Sequence, residues 1–289
     1  MRSNPVLKTL IYESIFNFPL NRLEIWKFLI SDKKISKKSF VKFLKDKSIT
    51  YDKKSGFYCL ANKKDSIKRR LEAEKISINK LKLARKVTFT LAKIPTIKLI
   101  GISGSLALGS SSESDDIDLF IVCKKNTIWT TRLFSVILLK LMGVYRESDN
   151  FKDKICLNMI VDNFLFPRNR RDLYTAFEIT KLRPVSSKNN AHRKLIMSNS
   201  WIDKFMPNVL SEAGRVKQEE YDDDKLISYF FSILEKIKFE KLAKISQLLY
   251  MKKRTTEEVS DHFLAFHPRD FRKEILTQFD VLIGSTRGH

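Results

Sequence analysis

Along the first sixty residues, apolar residues recur first with the spacing of a helix and then with the spacing of a strand. Three short helices and a β-hairpin are predicted, over about Leu7–Phe16, Arg22–Leu29, Lys37–Asp46, Ser48–Tyr51 and Phe57–Leu60. Asn21 and Ser36 stand directly before the second and third helices, where a side-chain oxygen can cap free backbone N–H groups. A polar turn ending at Gly56 joins the two strands. This segment is therefore predicted to form a small unit of its own.

From residue 65 onward, apolar residues recur with helical spacing for almost thirty residues. A long basic helix is predicted over about Asp65–Ala92, and Pro95 ends it. The next predicted elements are the strands Lys98–Ser103, Asp116–Val122 and Ile155–Asp162 and, before the last of them, the apolar helix Thr127–Met142.

The last hundred residues show mainly helical periods. They cover about Asp172–Leu182, Ala191–Phe205 and Lys225–Lys253, and a polar, acidic stretch separates the last two. The chain is therefore predicted to be α+β. Its four expected parts are a small helical and hairpin domain over 1–62, a linking basic helix over 63–94, a mixed sheet with helices over 95–183, and a helical C-terminal region over 184–289.

The composition excludes several classes of protein. Apolar residues make up 43% of the 289 positions, and no run of about 18 uncharged apolar residues is present, so we expect no membrane span. The N-terminus lacks the apolar stretch of a signal peptide, which predicts a cytoplasmic protein. Cys59, Cys123 and Cys156 lie inside apolar strand-like runs, which predicts small buried side chains and no disulfide framework.

The charge is strongly positive, with a formal net value of +22 at pH 7. Residues 32–70 alone hold 14 Lys or Arg against 4 Asp or Glu, so nearly half of the excess lies in the N-terminal part. A local excess of this size favours a polyanionic partner, most simply nucleic acid. The alternative is a lysine-rich composition spread over a solvated surface.

Candidate chemistry is concentrated between Gly101 and Val122. Asp116 and Asp118 lie in a predicted strand with one residue between them, so both carboxylates project from the same side, about 6–7 Å apart. That spacing lets two aspartates share one or two Mg²⁺ ions. The Gly104-Ser105 turn before a short helix offers backbone N–H groups and a hydroxyl to a phosphate.

These residues resemble the signature of the DNA polymerase β-like nucleotidyltransferase superfamily, a Gly-Ser pair followed about a dozen residues later by Asp-x-Asp. The resemblance covers roughly residues 95–165. It implies a polymerase β-like core, a nucleoside triphosphate as substrate, Mg²⁺ or Mn²⁺ as cofactor, and transfer of a nucleoside monophosphate to an acceptor hydroxyl. The residues it assigns are Asp116 and Asp118 as catalytic metal ligands, and Gly104, Ser105, Gly109 and Ser110 as nucleotide-binding residues.

Two features depart from the superfamily's pattern. Leu108 stands where many relatives carry a basic residue. The superfamily also commonly places a third carboxylate on the strand that is Ile155–Asp162 here. Alternation groups four residues of this strand on one face, namely Cys156, Asn158, Ile160 and Asp162. The central one is Asn158, whose amide oxygen can bind a metal but carries no charge. Asp162 or Glu178, on the next helix, could take the third metal position, and the sequence does not choose among the three.

The N-terminal order of three helices and a hairpin resembles a winged helix. In that fold the third helix usually enters the major groove and the hairpin contacts phosphates. The residues expected to bind nucleic acid, RNA or DNA, are Lys37, Lys38, Lys42 and Lys45 on the third helix and Lys53 and Lys54 at the hairpin tip. Winged helices also serve as protein-docking modules, and that alternative stays open.

The order of the parts resembles uncharacterised bacterial nucleotidyltransferase-domain proteins, a resemblance that spans most of the chain and brings no substrate with it. Three hypotheses follow. The first is a nucleotidyltransferase that acts on nucleic acid, with an RNA end as the favoured acceptor. The second is a nucleotidyltransferase that modifies a small molecule or a protein. The third is a non-catalytic regulator that binds nucleotide or nucleic acid through a degenerate site, marked by Asn158. The preferred nucleotide and the oligomeric state are not predicted.

Overall fold

The structure is a computed structural model that describes residues 4–147, 150–212, 224–251, 258–266 and 271–285. Helices and strands are mixed along the chain and the larger sheet contains both parallel and antiparallel pairs, so the predicted α+β class is confirmed. Among the described residues, no helix combines the length and the apolar character that a membrane span requires.

The N-terminal unit consists of three short helices and a three-stranded antiparallel sheet. Its elements are α1 (Pro5–Ile15), β1 (Leu20–Asn21), α2 (Arg22–Lys27), α3 (Lys37–Phe43), β2 (Ile49–Asp52) and β3 (Phe57–Leu60). The order in the sheet is β1-β3-β2. Asn21 and Ser36 cap α2 and α3 as predicted, and Asn21 forms a full capping box with Glu24.

The long helix α4 (Asp65–Leu91) is fastened to this unit through one buried arginine. Arg70 forms a bidentate ion pair with Glu24, at 2.7 and 2.9 Å. Its guanidinium also lies over the rings of Phe18 and Phe57, about 4 Å from each ring centroid. Because Glu24 already belongs to the α2 capping box, a single ion pair orients the start of α4 against the three-helix unit.

A six-stranded mixed sheet forms the centre of the molecule, in the order β7-β4-β5-β6-β9-β8. The elements from residue 97 onward are β4 (Ile97–Ile102), α5 (Gly104–Ala107), β5 (Ile117–Cys123), α6 (Ile128–Leu141), β6 (Ile155–Val161), α7 (Leu173–Lys181), β7 (Arg183–Ser187), α8 (Ala191–Ser198), α9 (Val209–Glu212), α10 (Lys225–Lys236), α11 (Phe239–Met251), β8 (Glu258–Val259), β9 (Phe263–Ala265) and α12 (Phe271–Ser285). Among the named strands of the described residues, β5 and β6 are parallel neighbours and the other pairs are antiparallel.

The C-terminal region differs from the purely helical one expected for residues 184–289. Strand β7 extends into it, and β8 and β9 add a further edge to the sheet. These strands are two to five residues long and β7 contains Pro184, so no apolar alternation could reveal them. The single helix expected over Lys225–Lys253 is two helices, because Lys238 adopts a positive φ of 54° between them.

Helices cover both faces of the sheet, and the alternation of β5 shows which side chains face which layer. Leu119 and Ile121 pack with α4, α6 and α11, whereas Phe120 and Val122 pack with α1, α7, α8 and α12. Because side chains alternate along a strand, the Asp118 side chain lies on the same face of the sheet as those of Phe120 and Val122. Its carboxylate therefore lies on the side of the sheet where α1, α7 and α12 meet.

Buried His192 on α8 makes the fold sensitive to acid. Its side chain is 6% exposed, neither ring nitrogen has a hydrogen-bond partner within the described residues, and burial lowers its pKa to about 4. The unfolded chain binds a proton near pH 6.5 and the folded chain does not, so stability is lost as pH falls below about 6.5. Between pH 7.5 and pH 5 we expect His192 to lower the free energy of unfolding by about 2 kcal/mol.

Urea unfolding of the wild type and of His192→Met at the two pH values measures this loss. The substitution replaces the imidazole by an apolar side chain of similar volume. We expect His192→Met to lose less stability than the wild type on acidification. An equal loss in both proteins would show that other groups carry the acid sensitivity.

Candidate metal centre

Asp116 and Asp118 lie at the beginning of β5, one residue before the strand and at its second residue. Ile117 between them is fully buried in the opposite layer, which leaves both carboxylates on one side, as the spacing predicts. Cys156 of β6 joins them, because the parallel register places it beside Asp118. One ligand atom from each of the three residues lies within 4.8 Å of the others, so they form a possible metal-binding triad.

The chemistry of this donor set fits a hard cation. Two carboxylates are the ligands that Mg²⁺ takes from proteins. Burial, together with the charges of Asp118 and Asp116, raises the pKa of the Cys156 thiol, so without a bound cation the sulfur stays protonated near neutral pH.

The carboxyl group of Asp118 is strongly perturbed. Burial and the adjacent charge of Asp116 raise its pKa to about 7. A guanidinium partly compensates this repulsion: Arg146 Nη1 lies 2.6 Å from Asp116 Oδ2 and 3.4 Å from Cys156 Sγ. Arg146 thus neutralises Asp116, and ionisation of Asp118 would leave an excess of negative charge that a bound cation would neutralise.

Sequence reasoning did not identify Arg146 or Cys156 as residues of the site. Cys156 was interpreted only as a small buried residue, which it is, as are Cys59 and Cys123. The one sequence signal for its place in the triad is that it lies on the predicted strand Ile155–Asp162, which was expected to face the Asp-x-Asp pair. Arg146 follows α6, is held over the ring of Phe151 at 4.7 Å, and had no sequence signal of its own.

The Gly104-Ser105 turn lies directly against the second aspartate. Gly104 has a φ of +62°, and a Cβ atom at this position would lie 2.6 Å from Asp118 Oδ2. Ser105 is exposed, and its hydroxyl donates to Asp115 Oδ2 at 3.0 Å. Ser110 donates to the carbonyl of Ser105 at 2.9 Å. The predicted phosphate-binding turn therefore adjoins the carboxylates without a side chain between them.

A second network fixes the loop that precedes Asp116. The buried Lys80 donates from its ammonium to the carbonyl oxygens of Glu113 and Asp115, at 3.2 and 2.6 Å, and pairs with Asp153 at 2.8 Å. Burial alone would raise the pKa of Asp115, but hydrogen bonds, chiefly from Ser112, outweigh it and lower that pKa. Helix α4 thus holds the backbone on which the first aspartate is mounted.

The three candidates for the third metal position lie in different places. Asn158 is buried beside the aspartates, and its amide donates to Ser103 Oγ at 3.2 Å. Glu178 of α7 lines the same cavity as Asp116 and Asp118; burial raises its pKa, and its charge helps to raise that of Asp118. Both side chains line the cavity that holds the aspartate pair, but Glu178 is not part of the triad whose ligand atoms lie within 4.8 Å of one another.

Asp162 lies away from this group. The grouping of Cys156, Asn158, Ile160 and Asp162 on one face was wrong, because the β5–β6 register shifts between Asp118 and Phe120 and breaks the alternation. As a result, Ile160 packs in the opposite layer.

At the far end of β6, the Asp162 carboxylate accepts the backbone N–H of Asn126 and lies 3.0 Å from His262 Nδ1. Six residues of strand separate it from Cys156, about 20 Å.

One cavity of about 750 Å³ connects the metal centre with the N-terminal unit. Asp116, Asp118, Gly104 and Arg146 line one end of it, together with Ser105, Ser110, Asn158 and Glu178. The other end is lined by aromatic side chains of α1, α7 and α12. Gly109, with a φ of +74°, turns the chain between α5 and the serine-rich loop without lining the cavity.

The six lysines expected to contact nucleic acid form a separate feature. Lys37, Lys38 and Lys42 lie on α3, Lys45 follows it, and Lys53 and Lys54 lie in the turn between β2 and β3. All six are exposed, and none of them lines the cavity.

Neither a protein-family model, nor a curated protein, nor a solved structure matches this chain. The resemblance to nucleotidyltransferases therefore stays a prediction.

Proposed function

We propose that the protein is a Mg²⁺-dependent nucleotidyltransferase that moves a nucleoside monophosphate from a nucleoside triphosphate to an acceptor hydroxyl. The observation that carries the proposal is the contact between Gly104 and Asp118: a glycine turn with exposed backbone approaches the second of two adjacent carboxylates so closely that no Cβ fits. A cation site and a phosphate-binding turn are thereby adjacent in one cavity. Phosphoryl and nucleotidyl transfer depend mainly on positioning and charge neutralisation, which these two features supply together.

In this proposal each residue has a defined task. Asp116 and Asp118 would hold Mg²⁺, which when bound neutralises triphosphate charge and lowers the pKa of the acceptor hydroxyl. Gly104 and Ser105 present backbone N–H groups and a hydroxyl to phosphate oxygens. Arg146 neutralises Asp116, and it can turn to a phosphate once a cation takes over that role.

Glu178 is the carboxylate best placed to complete the metal centre. It lines the cavity, it interacts electrostatically with Asp118, and within the described part of the chain it has no hydrogen-bond partner. Burial disfavours its charged form, and a cation beside it would restore that form. Asn158 instead positions the Ser103 hydroxyl at the start of the glycine turn.

The exposed lysines of α3 and the β2–β3 turn support nucleic acid, with an RNA end as acceptor, and support a winged-helix role for the N-terminal unit. A small molecule or a protein is the alternative acceptor. A second candidate function is a regulator that binds nucleotide without turnover. The observation that favours it is the donor set itself, in which a protonated thiol and the neutral Asn158 stand beside only two adjacent carboxylates.

Transfer of label from each α-³²P nucleoside triphosphate, with Mg²⁺ or Mn²⁺, tests the proposal. The acceptors are pooled RNA and the protein itself. We expect labelled RNA with the wild type and with Asp280→Asn, a matched change at an exposed aspartate outside the cavity. No label is expected with the Asp116→Asn/Asp118→Asn double variant. Label on the protein would identify protein as the acceptor. Nucleotide binding without any transfer would favour the regulator.

A further inference from the structure

Part of the wall of the cavity beside the candidate metal centre is formed by aromatic side chains. Seven aromatic side chains line the cavity: one is Phe266, after β9, and the six that form this wall are Tyr12, Phe16, Phe18, Tyr174, Phe177 and Phe271. They come from α1 and the turn that follows it, α7 and α12, so the N-terminal unit and the C-terminal helix both contribute. At about 750 Å³ the cavity lies in the range of sites that enclose a ligand of nucleotide size.

The rings of this wall are held rigidly. Tyr12 stacks on Phe177, with ring centroids 4.1 Å apart and planes within 8°. The ammonium of Lys181 pairs with the buried Glu13 at 2.7 Å and lies 4.7 Å from the centroid of Phe177, and both charged residues also line the cavity. This buried ion pair fixes α1 to α7, because separating it would leave a carboxylate unpaired in an apolar environment. The aromatic wall is therefore preorganised.

Two phenylalanine rings of the wall are partly exposed to solvent. Phe16 is 45% exposed and Phe271 is 43% exposed, although both line the cavity. Phe16 meets Tyr12 at a tilt of 56°, so its face is not covered by stacking on that ring, and the ammonium of Lys181 lies 5.4 Å from its centroid. A planar aromatic ligand gains most from such surfaces, and base–aromatic stacking is the interaction that proteins use for nucleobases of any sequence.

Tyr12 of α1 also lines the cavity, although its side chain is only 1% exposed.

We propose that the wall formed by α1, α7 and α12 binds the base of the nucleoside triphosphate. The base stacks on Phe16 and Phe271. This inference rests on the proposed nucleotidyltransferase function and adds to it: the N-terminal unit completes the nucleotide site through α1, while its lysines lie outside the cavity.

Equilibrium binding with two ligands separates this inference from the function on which it rests. The first ligand is α,β-methylene ATP, which cannot release pyrophosphate, and the second is inorganic tripolyphosphate, which has no base; GTP, CTP and UTP analogues are measured as well. Mg²⁺ is present throughout, and the readout is titration calorimetry. The proteins are the wild type, Phe16→Ala, Phe271→Ala and the control Leu23→Ala, a leucine of α2 that is 80% exposed and outside the cavity.

We expect each phenylalanine variant to weaken binding of the nucleotide analogue about 5- to 100-fold, the range that base stacking covers, and to leave tripolyphosphate binding unchanged. Leu23→Ala should change neither. Wild-type binding of tripolyphosphate and of every nucleotide analogue with equal affinity would overturn the base site and leave the metal and phosphate site standing. Unchanged nucleotide binding in both phenylalanine variants would overturn it as well. Failure of the wild type to bind either ligand would overturn the proposed function itself.

Discussion

Replacing Asp118 with Asn is expected to abolish Mg²⁺-dependent nucleotide transfer while making the metal-free protein more stable at pH 8. The loss of transfer should be on the order of 10³-fold or more, because the variant lacks one of the two carboxylates that would hold the cation. The gain in stability has a separate cause. In the wild type, burial and Asp116 disfavour the Asp118 carboxylate and raise its pKa to about 7.

The sign of the stability change follows from the raised pKa. The unfolded chain releases this proton near pH 4, whereas the folded chain keeps it until about pH 7. Asp118 therefore contributes stability that is fully present below about pH 4 and is lost as pH rises to 7. An asparagine is neutral at every pH. The difference in free energy of unfolding between Asp118→Asn and the wild type should grow over this window by an amount on the order of 2 kcal/mol.

Urea unfolding in EDTA at pH 4.5 and pH 8 measures this difference, with Asp280→Asn as the control that should follow the wild type. Mg²⁺ at pH 8 should then raise the melting temperature of the wild type and not that of Asp118→Asn, because a ligand stabilises only the fold that binds it. A variant that is less stable than the wild type at pH 8 without metal would contradict the account of Asp118 as a strained carboxylate.

The parts of the molecule that the sequence predicts well are those that depend on local rules. The two N-caps depend on a single side chain and the next turn of helix, and both were found at Asn21 and Ser36. The common side of Asp116 and Asp118 depends only on strand alternation. Gly104 could be singled out because a turn followed at once by a helix start needs a residue that tolerates positive φ.

The parts that could not be predicted depend on how distant segments pair. The shift in the β5–β6 register sends Asp162 to the other side of the sheet, and a regular alternation gives no sign of it. Cys156 enters the site through the same parallel pairing. Arg146 reaches Asp116 from the segment that follows α6, and an isolated arginine in a polar segment carries no information about its partner.

The aromatic wall shows the same limitation on a larger scale. Phe16 and Phe271 lie 255 positions apart in the chain, and each has an ordinary explanation within its own helix. Their relation arises only when α12 packs on α1 beside α7. A binding surface that is assembled from both ends of the chain leaves no motif, so the structure is needed to recognise it.

Gly104→Ala is expected to abolish metal-dependent transfer while the protein still folds. The new Cβ would lie 2.6 Å from Asp118 Oδ2, closer than any two such atoms can approach, so the carboxylate or the turn must move. Displacing a reacting group by about 1 Å costs on the order of 10²-fold in rate. Gly104 is exposed at the start of a four-residue helix, so the global fold should tolerate the shift.

Gly143→Ala is the control that separates this contact from backbone strain. Gly143 has a φ of +67°, nearly the same as the +62° of Gly104, but no atom lies within 4 Å of the position that its Cβ would take. Both variants should therefore lose a similar stability from the left-handed conformation, on the order of 1 kcal/mol. Only Gly104→Ala should lose transfer and Mg²⁺-dependent stabilisation. Equal activity in the two variants would mean that the turn does not position Asp118, and the contact that supports the proposed function would lose its significance.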